Sequence, residues 1–299
     1  MKILEELSTA GLKARAVPAA HLTELRSEYE NLLANGSIAQ GIRPYLEGFR
    51  WDLPSDMGTI LSVAMPSPIG QAVFTHTGKR QTVQIPPTYL DYGAAPAAIA
   101  KKLNGILAKY GYRATQAKSI PEKLLAVRSG LGEYGRNNIC YVEGLGSFAF
   151  LSAWFTDMPC DEDGWRETQR MKLCDKCTRC LDSCPTGAIV PDRNVIDGGR
   201  CLTAHNEAGS GVPFPQWINH AAHNSLVGCM LCQSVCPKDR EYLSMVCEPV
   251  EFDEHETMLL LAGTPPEDLP ETMSNRMQRL NLLGYYDVLK RNLSVLLDR

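Results

Sequence analysis

The chain is short of long apolar runs. Segments such as Met258–Ala262 end after a few residues, whereas a membrane helix needs about 20. No leader pattern opens it either, because Glu5 and Glu6 fall where a signal peptide requires its apolar stretch. These absences predict a soluble cytoplasmic protein with no membrane partner. Basic runs and low-complexity tracts are missing, and no internal repeat appears beyond two groups of cysteines. The formal net charge of −4 argues against nucleic-acid binding by bulk electrostatics, so a nucleic-acid partner is not expected. Histidine is sparse, at six, and the spacing of His220 and His223 has no nearby carboxylate to complete a metal site. What is present is an ordinary globular composition, 44% hydrophobic and 21% charged over 299 residues, enough to bury a substantial core.

Cysteine is the exception. There are 11, an odd number, and they concentrate between Cys174 and Cys236. Disulfide frameworks suit short exported chains, so metal binding is the better reading. Cys174, Cys177, Cys180 and Cys184 follow the pattern C-x2-C-x2-C-x3-C, with Pro185 next. This is the bacterial ferredoxin run, in which three thiolates hold one 4Fe-4S cube and the fourth reaches a neighbouring cube. Proline has no N–H to satisfy and turns the chain away.

A crossed pair demands a second group. Cys229, Cys232 and Cys236 read C-x2-C-x3-C before Pro237, and Cys201 supplies the missing thiolate across an insertion of 27 residues. One cluster is therefore assigned to Cys174, Cys177, Cys180 and Cys236, the other to Cys184, Cys201, Cys229 and Cys232. A structural zinc on Cys174, Cys177, Cys229 and Cys232 is the alternative, but it leaves four cysteines and both prolines without a role. Cys140, Cys160 and Cys247 lie outside the pattern and read as small core residues.

Before the cysteines the chain reads as mixed α/β. Helices are expected over Leu22–Ala34, over Ala94–Tyr110 with Gly111 as its C-cap, and over Pro121–Ser129. A buried strand is expected in Gly58–Pro68, and further strands in "NICYVE" and "GSFAFLSAWFTD". After Cys247, Thr257–Leu261 and Met273–Leu297 read as helical. Gly130, Gly132 and Gly135 spell G-x-G-x-x-G, but a dinucleotide site needs the strand first and the helix second. Here the order is reversed, which leaves a tight turn or a ligand contact. Tyr89, Asp91 and Tyr92 form a polar-aromatic cluster, and Lys290 with Arg291 reads as a solvated helix face.

The order of these features resembles the epoxyqueuosine reductases, cobalamin-dependent iron–sulfur enzymes related in their core to reductive dehalogenases. "GTILSVAMPSP" looks like the family's early strand. "LAVRSGLGEYGRNNI" is similar to its GLG-x-x-G-K-N segment, with Arg136 in the lysine place. The cysteine order and the closing "LKRNLSVLLDR" also match. The resemblance implies an α+β fold with a nitroreductase-like cobalamin and substrate domain over 1–165. An expanded ferredoxin-like double-cluster domain over 166–246 and a helical segment over 247–299 follow. It also implies base-off cobalamin held near Gly130, Gly132, Gly135, Arg136, Asn137, Gly146 and Ser147. Electrons would come from an external low-potential donor of ferredoxin or flavodoxin type.

Two departures shape the functional expectation. Lys118 stands where the family has an aspartate before Ser-x-Pro, and "YLDYGAAP" replaces an Arg-Asp-Tyr-His stretch. A lysine can serve as proton donor if burial favours its neutral form, or it can mark a protein that has lost the parent reaction. The C-terminal repeat region that some members carry for tRNA is absent. The expectation is thus a cobalamin- and double-4Fe-4S-dependent reductase whose substrate is not the queuosine tRNA. The alternatives are a non-enzymatic corrinoid-binding or electron-transfer protein, and an epoxyqueuosine reductase with a substituted proton donor.

Overall fold

The computed structural model describes residues 2–34, 47–90, 93–191, 195–209 and 211–298. In chain order, helix α1 (Lys2–Thr9), strand β1 (Lys13–Pro18), helix α2 (Leu22–Ala34) and strand β2 (Thr59–Pro66) lead to a hairpin, β3 (Gly70–His76) and β4 (Lys79–Ile85). Helix α3 (Ala95–Leu107) and strand β5 (Ala114–Gln116) precede helix α4 (Glu122–Arg128), the pair β6 (Gly132–Tyr134) and β7 (Cys140–Val142), and strand β8 (Ala149–Thr156). The cysteine region holds only short helices, α5 (Arg179–Asp182), α6 (Leu202–Glu207) and α7 (Leu231–Ser234). Strand β9 (Val250–Phe252) and helices α8 (Glu254–Ala262), α9 (Glu271–Arg279) and α10 (Tyr286–Leu297) close the chain. Among the described residues no helix is long and apolar enough to cross a membrane.

By packing, the chain forms two compact units. The first takes Met1–Pro66, Gly93–Thr178 and Val190–Gly199; the second takes Ser67–Tyr92, Arg179–Ile189 and Arg200–Arg299. The linear partition at residues 165 and 246 follows the cysteine motif instead.

The first unit is built on an antiparallel sheet in the order β1-β2-β8-β5. Strand β2 is apolar without alternation because both its faces are covered. Leu61, Val63, Phe150 and Trp154 face a core with Leu7 of α1 and Ile99 and Leu103 of α3. Ile60, Ala153 and Phe155 face the opposite way, into a core with Leu25 of α2 and Leu124 and Leu125 of α4. Helix α3 ends in a short 3₁₀ turn and then Gly111 at φ 80°, a left-handed cap that suits glycine.

The second unit packs the sheet β4-β3-β9 against the C-terminal helices. Phe74 and Phe252 stack at 5.0 Å across the parallel β3–β9 pair. The β3–β4 hairpin turns on Thr77 and Gly78, both at positive φ, the geometry that matches strand twist. Helix α8 starts at Glu254, three residues earlier than its hydrophobic pattern indicates, because Asp253 and Glu256 form a reciprocal capping box. The helical stretch expected over Met273–Leu297 is two helices, broken where Asn281 adopts φ 52°.

Candidate iron–sulfur and cofactor sites

The clearest donor set lies wholly within the second unit. Gly187, at φ 64°, curls the chain after Pro185, and the turn aims main-chain N–H groups at Cys184 Sγ. Burial pushes the Cys184 thiol up. The Thr186 hydroxyl and the N–H groups of Thr186, Ala188 and Ile189 outweigh it and bring the thiol below its ordinary range. Cys229 follows Gly228, which takes φ 63°. Burial raises its thiol, and the neighbouring Cys201 and Cys184 push it the same way. Asn224 Nδ2 donates to its Sγ at 3.2 Å, and the Leu231 N–H adds a second donor.

Three of the four cysteines assigned to one cluster thus share an electrostatic neighbourhood. Cys232 is the second residue of α7, after Leu231. Converging thiols with N–H donors aimed at sulfur are the chemistry an anionic iron–sulfur cluster needs, so these residues fit one. Among the described residues no group of three His, Cys, Asp or Glu is placed to hold a single metal ion.

For the other cluster, Cys174 and Cys177 belong to the first unit, with Cys174 buried in the 3₁₀ turn Lys172–Asp175. Cys180 lies in α5 and Cys236 follows α7 in the second unit. Of the cysteines outside the motif, Cys140 is a core thiol on β7, pushed up to about 12 by burial. Cys160 and Cys247 are only half-buried, contrary to the reading of all three as core residues.

The residues assigned to cobalamin by resemblance lie within the first unit. Helix α4 precedes β6 and β7, so the G-x-G-x-x-G order is helix before strand. Gly130, at φ 77°, makes the turn out of α4. A Cβ on Gly132 would sit 2.6 Å from Cys140 Sγ and 2.8 Å from the Tyr141 carbonyl oxygen. One on Gly135 would sit 2.4 Å from Asn137 Oδ1 and 2.5 Å from the Tyr141 ring. The chain's own packing therefore accounts for both of these glycines.

Asn137 is buried and donates from Nδ2 to the Tyr141 hydroxyl at 3.0 Å. Gly146 takes φ 57° and accepts the Val142 N–H, and Ser147 is buried. Arg136, 8% exposed, aims its guanidinium at three main-chain carbonyls: Cys174, Cys177 at 3.1 Å and Pro191 at 3.3 Å.

Lys118 stands exposed on a turn that ends in Ser119 at φ 57°. Four residues on is a carboxyl that no sequence motif marks. Glu122 is half-buried in the first turn of α4, and among the described residues it has no hydrogen-bond or ion partner. Burial alone pushes it up to about 7. Its signal in the sequence was a lone acid next to the apolar face of a short helix.

Tyr89 is the described part of the "YLDYG" stretch; Asp91 and Tyr92 lie outside the described residues. Its hydroxyl donates to Glu207, and its ring packs over Gly228, where a Cβ would lie 2.7 Å from the hydroxyl oxygen. His223 is a buried histidine bonded to Asn206. Arg291 is not a solvated residue: it donates to the carbonyls of His205, Asn206 and Val212 and lies over Phe214.

Comparison with known proteins supplies the frame for these sites. Residues 173–239 match the 4Fe-4S double cluster binding domain, a span that contains all eight assigned cysteines. That match sets the zinc alternative aside. The chain is 35% identical over 144 residues to the epoxyqueuosine reductase of Aliivibrio fischeri, covering 48% of this chain and 37% of that protein. It is 35% identical over 123 residues to that of Atelocyanobacterium thalassa, covering 41% and 39%. The matched stretch thus spans well under half the length of these curated relatives.

In fold, the structure of epoxyqueuosine reductase from Bacillus subtilis, with its catalytic aspartate loop swung out, covers 99% of this chain and 80% of that one. The TM-score is 0.68 and the identity 19%. A structure of epoxyqueuosine reductase with an epoxyqueuosine-modified tRNA-Tyr stem loop covers the same shares at TM-score 0.64 and 20% identity.

Two expectations are corrected by these findings. The net charge and Lys118 predict a substrate other than queuosine tRNA and argue against a nucleic-acid partner. The relatives are epoxyqueuosine reductases, and one structural counterpart holds the modified tRNA stem loop. The reasons for the error are physical. A net charge of −4 describes the whole chain and no particular face of it, and one exposed side chain on a turn does not define a substrate. In sequence over nearly half its length and in fold over almost all of it, this chain is similar to the epoxyqueuosine reductases.

Proposed function

We propose that the chain is a reductase of the epoxyqueuosine reductase kind, with two 4Fe-4S clusters and cobalamin, acting on the modified base in a tRNA stem loop. The observation that carries the reading is the 35% identity to curated epoxyqueuosine reductases in a chain that also carries the double-cluster domain. A nitroreductase-like core belongs to the same proposal. Cobalamin, when bound, supplies the metal-centred reducing chemistry; the clusters supply single electrons. The residues that would hold the corrin are Gly130, Gly132, Gly135 and Asn137, with Gly146 and Ser147, through their main chain and buried polar side chains.

The remaining work falls to this chain's own residues. Reducing an epoxide takes two electrons and two protons, so a proton must be held near the reacting oxygen. Two groups in the stretch 118–122 can hold one: Lys118 on its exposed turn, and Glu122, whose carboxyl keeps its proton up to about pH 7 because burial disfavours the anion. Arg179 and Arg240 line an open cavity of about 480 Å³ beside Cys236 in the second unit. Their charge suits an acidic ferredoxin or flavodoxin as the external electron donor.

Expression in a strain lacking epoxyqueuosine reductase tests the proposal. Restored queuosine in tRNA is the expected result. A protein with full iron and bound cobalamin that restores none would leave the electron-transfer reading in its place. In the pH profile of an active preparation, E122Q removes the fall in rate above about pH 7 if Glu122 supplies the proton, and K118M lowers the rate if Lys118 does.

A further inference from the structure

Arg136 carries a charge that nothing proposed so far uses. It lies in the tight loop between β6 and β7 and is 8% exposed. Among the described residues no carboxylate pairs with it. Its hydrogen bonds go to carbonyl oxygens alone, those of Cys174, Cys177 and Pro191. Taking an unpaired cation out of water costs several kcal/mol, and carbonyl dipoles offset only part of that. A buried cation of this kind is best explained by an anion beside it.

The residues it grips say which anion. Cys174 and Cys177 are ligands of one 4Fe-4S cluster, and four thiolates around a cubane make the assembly anionic, more so after it takes an electron. The guanidinium fork is rigid, with its donors fixed in one plane. Here that plane is spent on the main chain of the cluster loop, which leaves it poorly disposed to reach a corrin. Gly135 makes this possible, because a Cβ there would collide with Asn137 and Tyr141 and displace the loop.

We infer that Arg136 is a positioning residue of the cluster bound by Cys174 and Cys177, bracing its ligand loop and holding a fixed positive charge that favours the reduced cluster. Its effect is to raise that cluster's reduction potential relative to the other. The inference rests on the double-cluster domain and not on the identity of the substrate.

The test is an EPR-monitored redox titration of the anaerobically reconstituted holoprotein and its R136Q and R136K variants, with iron, sulfide and cobalamin binding measured on the same samples. In R136Q one of the two one-electron transitions moves to lower potential and the other stays. The expected loss is about tenfold in electron affinity, or about 59 mV for one electron. R136K keeps the charge but not the fork, and shows a smaller shift in the same direction at full iron content. Both transitions unmoved in R136Q, or cobalamin binding lost with potentials unchanged, would overturn the inference. If R136Q cannot retain iron, R136K decides: a downward shift of one transition supports the assignment, and no shift sinks it.

Discussion

Lys123 Nζ donates to the main-chain carbonyl of Asn138 at 2.9 Å and to its side-chain oxygen at 3.1 Å. The first turn of α4, with Glu122 in it, is thereby fastened to the loop that carries Arg136. A single lysine links the stretch proposed to hold a proton to the loop proposed to brace a cluster. Glu122 is adjacent to this tether, and its behaviour is the first consequence.

The Glu122 carboxyl is raised from an ordinary value of 4.5 to about 7 by burial. Between those pH values the folded protein holds a proton that the unfolded chain has released, so stability falls as pH rises through the window. E122Q removes that slope. Urea denaturation at pH 5 and pH 8 should show the variant gaining about 1–3 kcal/mol on the parent at the higher pH and little at the lower. Parallel pH dependence in both proteins would mean that the carboxyl is solvated.

Arg128 is 6% exposed and meets Glu24 at 3.2 Å, Glu28 at 3.5 Å and Glu167 at 3.1 Å, with Trp165 4.8 Å away under its guanidinium. Substituting methionine leaves three acids around an apolar side chain. R128M should cost about 2–4 kcal/mol in chemical denaturation, and R128K should recover only a part, because an ammonium cannot fork to several carboxylates.

The glycines can be ranked by what a methyl group would meet. G132A forces a Cβ against Cys140 Sγ and the Tyr141 carbonyl, and overpacking of this kind costs about 1–3 kcal/mol. Gly105 sits exposed in α3 with nothing within 4 Å of a new Cβ, so G105A should stabilise by about 0.5–1 kcal/mol. Thermal melts of the two variants side by side check both signs.

Iron analysis sorts the cysteines. C184S and C201S remove ligands of the same cluster and should each lose about half of the bound iron after anaerobic purification. C140S should keep its iron and lose stability, since it places a hydroxyl in the core of β7. Equal iron in C184S and the parent protein would break the crossed assignment.

The chemistry of the metal sites was legible in the residues because cluster ligands obey local spacing. A thiolate two residues from the next must share a tight loop with it, and proline marks where the loop leaves. The same locality exposed the buried strand β2, whose largely apolar run, interrupted only by Ser62 after Thr59, needs both its faces covered, and helix α3 with its glycine cap. The hairpin β3–β4 gave a weaker signal, since its turn Thr77–Gly78 lacks the usual Asn-Gly pair.

What only the folded chain decided concerns groups whose environment is assembled from distant segments. Arg136 is one arginine after a glycine until the 3₁₀ turn carrying Cys174 is brought to it 38 residues on. Glu122 is one acid at a helix start until burial holds its proton. Arg291 looked like a solvated charge until carbonyls from residues 205 to 212 closed over it. Ligand spacing is a property of neighbouring residues, whereas desolvation and the placement of a charge depend on what packs against them, and that is set by tertiary structure.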